Sequence, residues 1–152
     1  MIAGQGIQFG GEEHFQASPE RLYTQLTEFD AMTRTIPDLV SAEPIDEHSL
    51  RCVVRPGLSF LRGSLRLVIA LADLKRPEEA TMKIDAQGIG VSMRINSTLR
   101  IAAENGGSKL TWQAEVGEMR GLAAALSPGL VKAAADQVIR HAWTQVRKQL
   151  GE

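Results

Sequence analysis

The sequence predicts an α+β domain in which a curved antiparallel sheet wraps around one long C-terminal helix. Three observations predict it. The middle of the chain alternates apolar and polar residues with period two, which gives strands one dry and one wet face, as in antiparallel sheets. The C-terminus switches to a helical period. A sheet with a single dry face and one long helix to cover it must curl around that helix to bury its apolar side chains.

The first strand places Ile7, Phe9, Gly11, Glu13 and Phe15 on its inner face. Ser18-Pro19-Glu20 then starts a helix: Ser18 caps, Pro19 suits the first helical position, and Glu20 meets the positive end of the dipole. Leu22, Tyr23 and Leu26 follow at helical spacing. A second short helix is expected around Asp30 to Thr35, ended by Ile36-Pro37-Asp38, because the residue before proline is pushed out of the helical region. Strand residues return in Leu50-Arg51-Cys52-Val53-Val54. From about Ser64 to Leu74, Leu65, Leu67, Ile69 and Leu71 share a face; between Val91 and Ala103, Val91, Met93, Ile95, Leu99 and Ile101 do. Leu110, Trp112, Ala114 and Val116 form the last such series. Asn105-Gly106-Gly107 is a hairpin turn signal, and Pro56-Gly57, Arg76-Pro77-Glu78 and Gly88-Ile89-Gly90 punctuate the other runs. Ser127-Pro128 repeats the cap-plus-proline start, and Gly151 closes the final helix. Its stripe is Val131, Ala135, Val138, Ile139, Ala142, Val146 and Leu150, with Asp136, Arg140, Thr144, Arg147 and Lys148 facing away. About 23 helical residues would run roughly 34 Å, enough to cross a whole sheet. The prediction is thus a strand, two short helices, a run of about six strands and a long helix, in a sheet of about seven strands. Residues 1–152 read as a single domain.

Composition narrows the function classes. Seventeen Lys+Arg against eighteen Asp+Glu leave a formal net charge of -1, without the basic excess of a nucleic-acid binder. The single cysteine, Cys52, excludes an intramolecular disulfide and reads as a small buried strand residue. No HExxH, paired-cysteine or phosphate-cradling motif is present, so no metal or cofactor is expected. His14, His48 and His141 lack a carboxylate or second histidine at ligand spacing. The start of the chain has no secretory pattern and the low-charge run Gly121 to Val131 is too short to span a bilayer. A soluble, cytoplasmic protein with at most peripheral membrane contact is expected.

Four stretches carry a family resemblance: Ala17-Ser18-Pro19-Glu20-Arg21-Leu22-Tyr23; Leu26-Thr27 with Thr35-Ile36-Pro37-Asp38-Leu39; Leu110-Thr111-Trp112 with Ala114-Glu115-Val116; and Ala134-Ala135-Asp136-Gln137. Together they resemble the carbon monoxide dehydrogenase CoxG family of the SRPBCC or START-like superfamily, with its helix-grip (START/Bet v-like) fold. Asp38 stands where that family usually has glycine. Some members carry a hydrophobic C-terminal tail; this chain stops at Glu152, which leaves tethering by such a tail without support. The resemblance implies a non-enzymatic accessory role beside a molybdenum-containing dehydrogenase complex, with a hydrophobic, lipid- or quinone-like small molecule in the cavity.

The cavity is expected between the sheet's inner face and the final helix, lined by Leu67, Ile69, Met93, Ile95, Leu99, Trp112, Leu126, Leu130, Ala134 and Val138. Small residues in Gly121 to Val131, where Leu122, Leu126 and Leu130 are spaced by four, make either a portal near Leu122 to Gly129 or close helix-to-sheet packing. Trp112 and Trp143 read as core residues or as ligand platforms. Glu13 is expensive to bury unpaired; it is neutralised, paired or wet, unless a bulge at Gly10-Gly11 turns it to solvent. A catalytic alternative of the polyketide cyclase or dehydratase type needs a cavity acid or base, and Glu13 with Tyr23 is the available candidate. A third reading is a docking subunit whose interior is filled by side chains.

Overall fold

A computed structural model describes residues 6–57 and 63–152 of the chain. The elements run β1 (Ile7–Phe15), α1 (Pro19–Thr27), α2 (Phe29–Met32), β2 (Leu39–Asp46), β3 (Ser49–Val54), β4 (Leu65–Lys75), β5 (Glu79–Gly88), β6 (Val91–Glu104), β7 (Gly107–Gly121), α3 (Leu122–Ala125) and α4 (Pro128–Gln149). The strands form one seven-stranded antiparallel sheet in the order β1-β7-β6-β5-β4-β3-β2. Both proline-led helix starts hold: Ser18 accepts from the Arg21 N–H at 3.3 Å, and Ser127 from the Leu130 N–H at 3.2 Å. Each side chain satisfies a backbone donor that the first helical turn leaves unpaired.

Register explains which residues line the interior. β1 pairs with β7 without interruption, from Ile7↔Val116 to Phe15↔Ser108. There is no bulge at Gly10-Gly11, so Glu13 stays on the inner face with Phe9 and Phe15, as the alternation alone predicts. A bulge occurs in β7 instead, where Glu118 has φ +49° and one extra residue of β7 lies between the pairs Arg94↔Gly117 and Ser92↔Arg120. That shift turns Met119 inward, onto the cluster of Val54, Leu65 and Val91. Asp38, at the family's glycine position, has φ +57°, a left-handed conformation that glycine adopts without cost.

The interior divides into three clusters. One joins α1 to the C-terminal end of α4 through Phe15, Leu22, Tyr23, Leu26, Leu99, Leu110 and Val146. A second sits under α2 around Met32, Leu50, Cys52, Ile69 and Leu71. The third, described above, closes the opposite end of the sheet.

The long helix departs from expectation in two ways. Periodicity predicts a stripe buried along its length, yet Val146 is the only buried residue of α4, with Leu150 buried at its cap. Val138 remains 36% exposed and Leu130 42%. The helix packs chiefly on β1 and α1. Its first half presents Ala133, Ala134 and Ala135, whose methyl groups are too short to fill the space down to the sheet. Arg147, predicted to face solvent, instead turns inward at the C-terminal end.

Candidate functional site

The inner face is a series of cross-strand rows. Ile7, Val116, Ile95, Ile84, Ile69 and Leu50 form one, and Met93, Ala86, Leu67 and Cys52 the next towards the β5–β6 turn. On the other side lie Gly11, Trp112, Leu99 and Ala80. Between these runs a row of Phe9, Ala114, Ser97, Met82 and Leu71. Ala114 and Ser97 within it are small, which hollows the floor at mid-sheet.

Leu67, Met82, Ile84, Met93 and Ile95 are only half-buried on this floor. The facing stripe of α4 is equally uncovered: Val131, Ala134 and Ile139 are half-buried, Leu130 and Val138 exposed, and Leu126 just before the helix half-buried. The grip is therefore an apolar cleft, with its two jaws closed against each other mainly at the α1 end. Of the residues expected to line it, Leu67, Met93, Ile95 and Trp112 lie on the floor, and Leu126, Leu130, Ala134 and Val138 on the helix side. Ile69 and Leu99 belong to the buried clusters beside it. In the expected portal, α3 spans Leu122–Ala125, and the Leu122 side chain lies outside the described part of the structure. Two surface depressions sit outside the grip. One, of about 270 Å³, lies between α1 and the end of α4; the other, of about 520 Å³, lies on the polar outer face near Gln8, Gly10, Asn96 and Gln113.

At the α1 end the cleft is walled by aromatic rings. Phe9 meets Trp112 edge-on at 6.4 Å, Trp112 tilts against Trp143 at 6.1 Å, and Trp143 meets Phe15 edge-on at 6.4 Å. Offset and edge-on contacts of this kind are favoured by the ring quadrupoles. Gly11 makes the room: a methyl group there would lie 3.3 Å from the Trp112 ring. Both indole Nε1 atoms are buried and without a hydrogen-bond partner among the described residues.

Glu13 borders this wall and is paired. The Arg147 Nη2 donates to its Oε1 at 2.8 Å and to the His14 carbonyl at 3.2 Å, while the guanidinium lies 4.6 Å from the Phe15 ring centre. Tyr23 is elsewhere. It is 3% exposed, its hydroxyl donates to the Glu79 carbonyl at 2.9 Å, and burial pushes its pKa up. The Arg76 guanidinium lies 5.2 Å over its ring, and its charge pulls the other way. The fold does not bring Glu13 and Tyr23 together: each is satisfied by a different partner.

Sequence spacing missed three features. Arg147 follows Trp143 by four residues, which places it on the same helix face; that signal was available. Ser97 interrupts an otherwise apolar inner series of β6 and was equally visible. The 2.6 Å contact between His14 Nδ1 and Glu104 joins residues far apart in the chain, and no spacing rule could have found it. His48 and His141 are exposed, as expected.

The profile of the carbon monoxide dehydrogenase CoxG family matches residues 11–151. No curated protein matches the sequence. Among solved structures, a conserved protein from Geobacillus kaustophilus is similar at 16% identity, covering 95% of each chain with a TM-score of 0.88. A START superfamily protein from Mycobacterium smegmatis is similar at 13% identity over 93% of this chain and 95% of its own, with a TM-score of 0.72. Ara h 8.0201 is similar at 12% identity over 95% and 98%, with a TM-score of 0.71. The architecture is thus the START/Bet v-like helix grip. Among the described residues, no helix is long and apolar enough to cross a membrane.

Proposed function

The chain belongs to the carbon monoxide dehydrogenase CoxG family, and from that premise we propose that it holds a hydrophobic small molecule in the cleft of its helix grip. The observation that carries this reading is the pair of half-covered apolar surfaces facing one another: Leu67, Met82, Ile84, Met93 and Ile95 on the sheet, Leu130, Val131, Val138 and Ile139 on α4. Leaving that much aliphatic surface against water opposes folding at about 25 cal/mol per Å², and an apolar ligand removes the cost. The cleft suits a lipid- or quinone-like molecule because its walls are aliphatic and aromatic. We assign it no catalytic step: Glu13 is committed to Arg147 and Tyr23 to a backbone carbonyl. The protein then acts in the cytoplasm as an accessory to a molybdenum-containing dehydrogenase complex. Native mass spectrometry and organic extraction of the purified protein test the binding claim. A co-purifying or loadable lipid or quinone is expected; a protein that neither carries nor takes up such a molecule refutes it.

A further inference from the structure

The polar groups on the inner face are few, and their satisfaction is uneven. Along β1 and β3–β7 the alternation turns Glu13, Ser97 and Ser108 inward among apolar neighbours. Glu13 is held by Arg147, and Ser108 donates to the Ala17 carbonyl at 2.7 Å. The Ser97 hydroxyl has no hydrogen-bond partner among the described residues and is half-buried, in the hollow between Ala114 and Met82. Trp112 is its diagonal neighbour, because Ser97 pairs with Ala114 and Leu99 with Trp112. Trp143 packs on Trp112, and the indole N–H groups of both are likewise unpartnered among the described residues.

We propose that Ser97 is the polar anchor of the cleft, and that it selects ligands ending in a neutral hydrogen-bond acceptor such as an ester, ketone or ether. This rests on the reading of the cleft as a ligand site and adds which end of the ligand goes where. The acceptor seats on the Ser97 hydroxyl at mid-sheet, with the indole edges of Trp112 and Trp143 beside it. The apolar body runs along Ile95, Ile84 and Met93 towards the open first half of α4. Charge discrimination follows from the same geometry. Among the described residues, a carboxylate or phosphate at Ser97 would meet no free cation on the inner face, since Arg147 is taken by Glu13. An ammonium group would meet no free anion there for the same reason.

The test uses matched probes: methyl laurate, laurate and dodecane, titrated into the purified chain and followed by tryptophan fluorescence, for which Trp112 and Trp143 are the reporters. The wild-type protein is expected to bind methyl laurate up to about tenfold more tightly than dodecane, the range of one net hydrogen bond, and laurate more weakly than its ester. Ser97→Ala removes the preference for the ester and leaves dodecane unchanged, whereas Ser97→Thr retains it. Equal affinity for ester and hydrocarbon, laurate binding as tightly as its ester, or a Ser97→Ala loss shared by all probes overturns the anchor and leaves the ligand site standing. Failure of every probe to bind overturns both.

Discussion

Breaking the Glu13–Arg147 pair offers a quantitative check on how the grip is closed. Arg147→Met keeps much of the aliphatic stem but removes the ion pair, the bond to the His14 carbonyl and the cation over Phe15. The two side chains are 28% and 33% exposed, between a surface pair, worth about 0–1 kcal/mol, and a buried one, whose rupture costs about 3–5 kcal/mol. The cation–π contact adds about 0.5–1 kcal/mol. A loss of about 2 kcal/mol is therefore expected, or about 4–8 °C in Tm for a chain of this size. Urea denaturation of the wild type, Glu13→Gln, Arg147→Met and the double variant completes a thermodynamic cycle. The pair should show a coupling of about 1–2 kcal/mol, because each single variant leaves the other partner uncompensated. Additivity within about 0.3 kcal/mol would refute the claim that this ion pair fastens α4 to β1.

Other outcomes follow from single features. Asp38→Gly should stabilise the protein by about 0.5–1 kcal/mol in the same assay, because a left-handed φ of +57° costs a residue with a Cβ and costs glycine little. Gly121→Ala should unfold the chain or cost more than about 3 kcal/mol, since φ is +68° and a Cβ would lie 1.9 Å from the Gly90 carbonyl oxygen; normal thermal stability would contradict the turn geometry. Burial pushes the Cys52 thiol up to about 11 from an ordinary value of 9.0, so the unfolded chain ionises first. The stability this contributes is fully present below pH 9 and is lost as pH rises towards 11; the wild type should therefore lose stability relative to Cys52→Ala across that window, and a constant difference would sink the assignment. Amide exchange should be faster in the first half of α4 than around Val146, because only its C-terminal end is anchored by Arg147, by the Arg21 bond to the Leu150 carbonyl at 3.2 Å, and by Glu152 on the Gln16 and Ala17 N–H groups. Uniform protection along the helix would mean that α4 is held along its whole length.

The fold was legible because both periods are strong and their boundaries are punctuated. Ser18-Pro19 and Ser127-Pro128 start helices by capping chemistry local to those residues, and Asn105-Gly106 turns the chain with φ +47° and +83°. β1 could be faced correctly because period two leaves only one alternative, a slip of one residue. The bulge was misplaced for a related reason: a glycine pair invites a bulge, but Gly10 and Gly11 serve close contact instead, with a Cβ at Gly10 meeting the Trp112 carbonyl oxygen at 2.7 Å. β7 bulges at Glu118, whose side chain carries no such signal and is held by Arg94 at 2.9 Å. Local chemistry was readable; contacts made across the sheet were not.

The same distinction decides how the cleft was seen. A stripe of apolar positions says which way a helix faces, but whether it touches the sheet depends on side-chain length. Val146 and Leu150 reach the core, whereas Ala134 and Ala135 do not. Opposite them the floor is also lowered, by Ala114 and Ser97. Small residues on both jaws remove contact in the place where a filled core would make it, and the dispersion energy given up there is available again only when another molecule fills the gap. The polar groups obey a complementary logic. Glu13, Ser108 and Tyr23 are each satisfied within the protein, so none of them is held ready for a ligand. Ser97 is not, and it lies at the lowest point of the floor. An interior built only for packing would have continued the aliphatic series of β6 through that position.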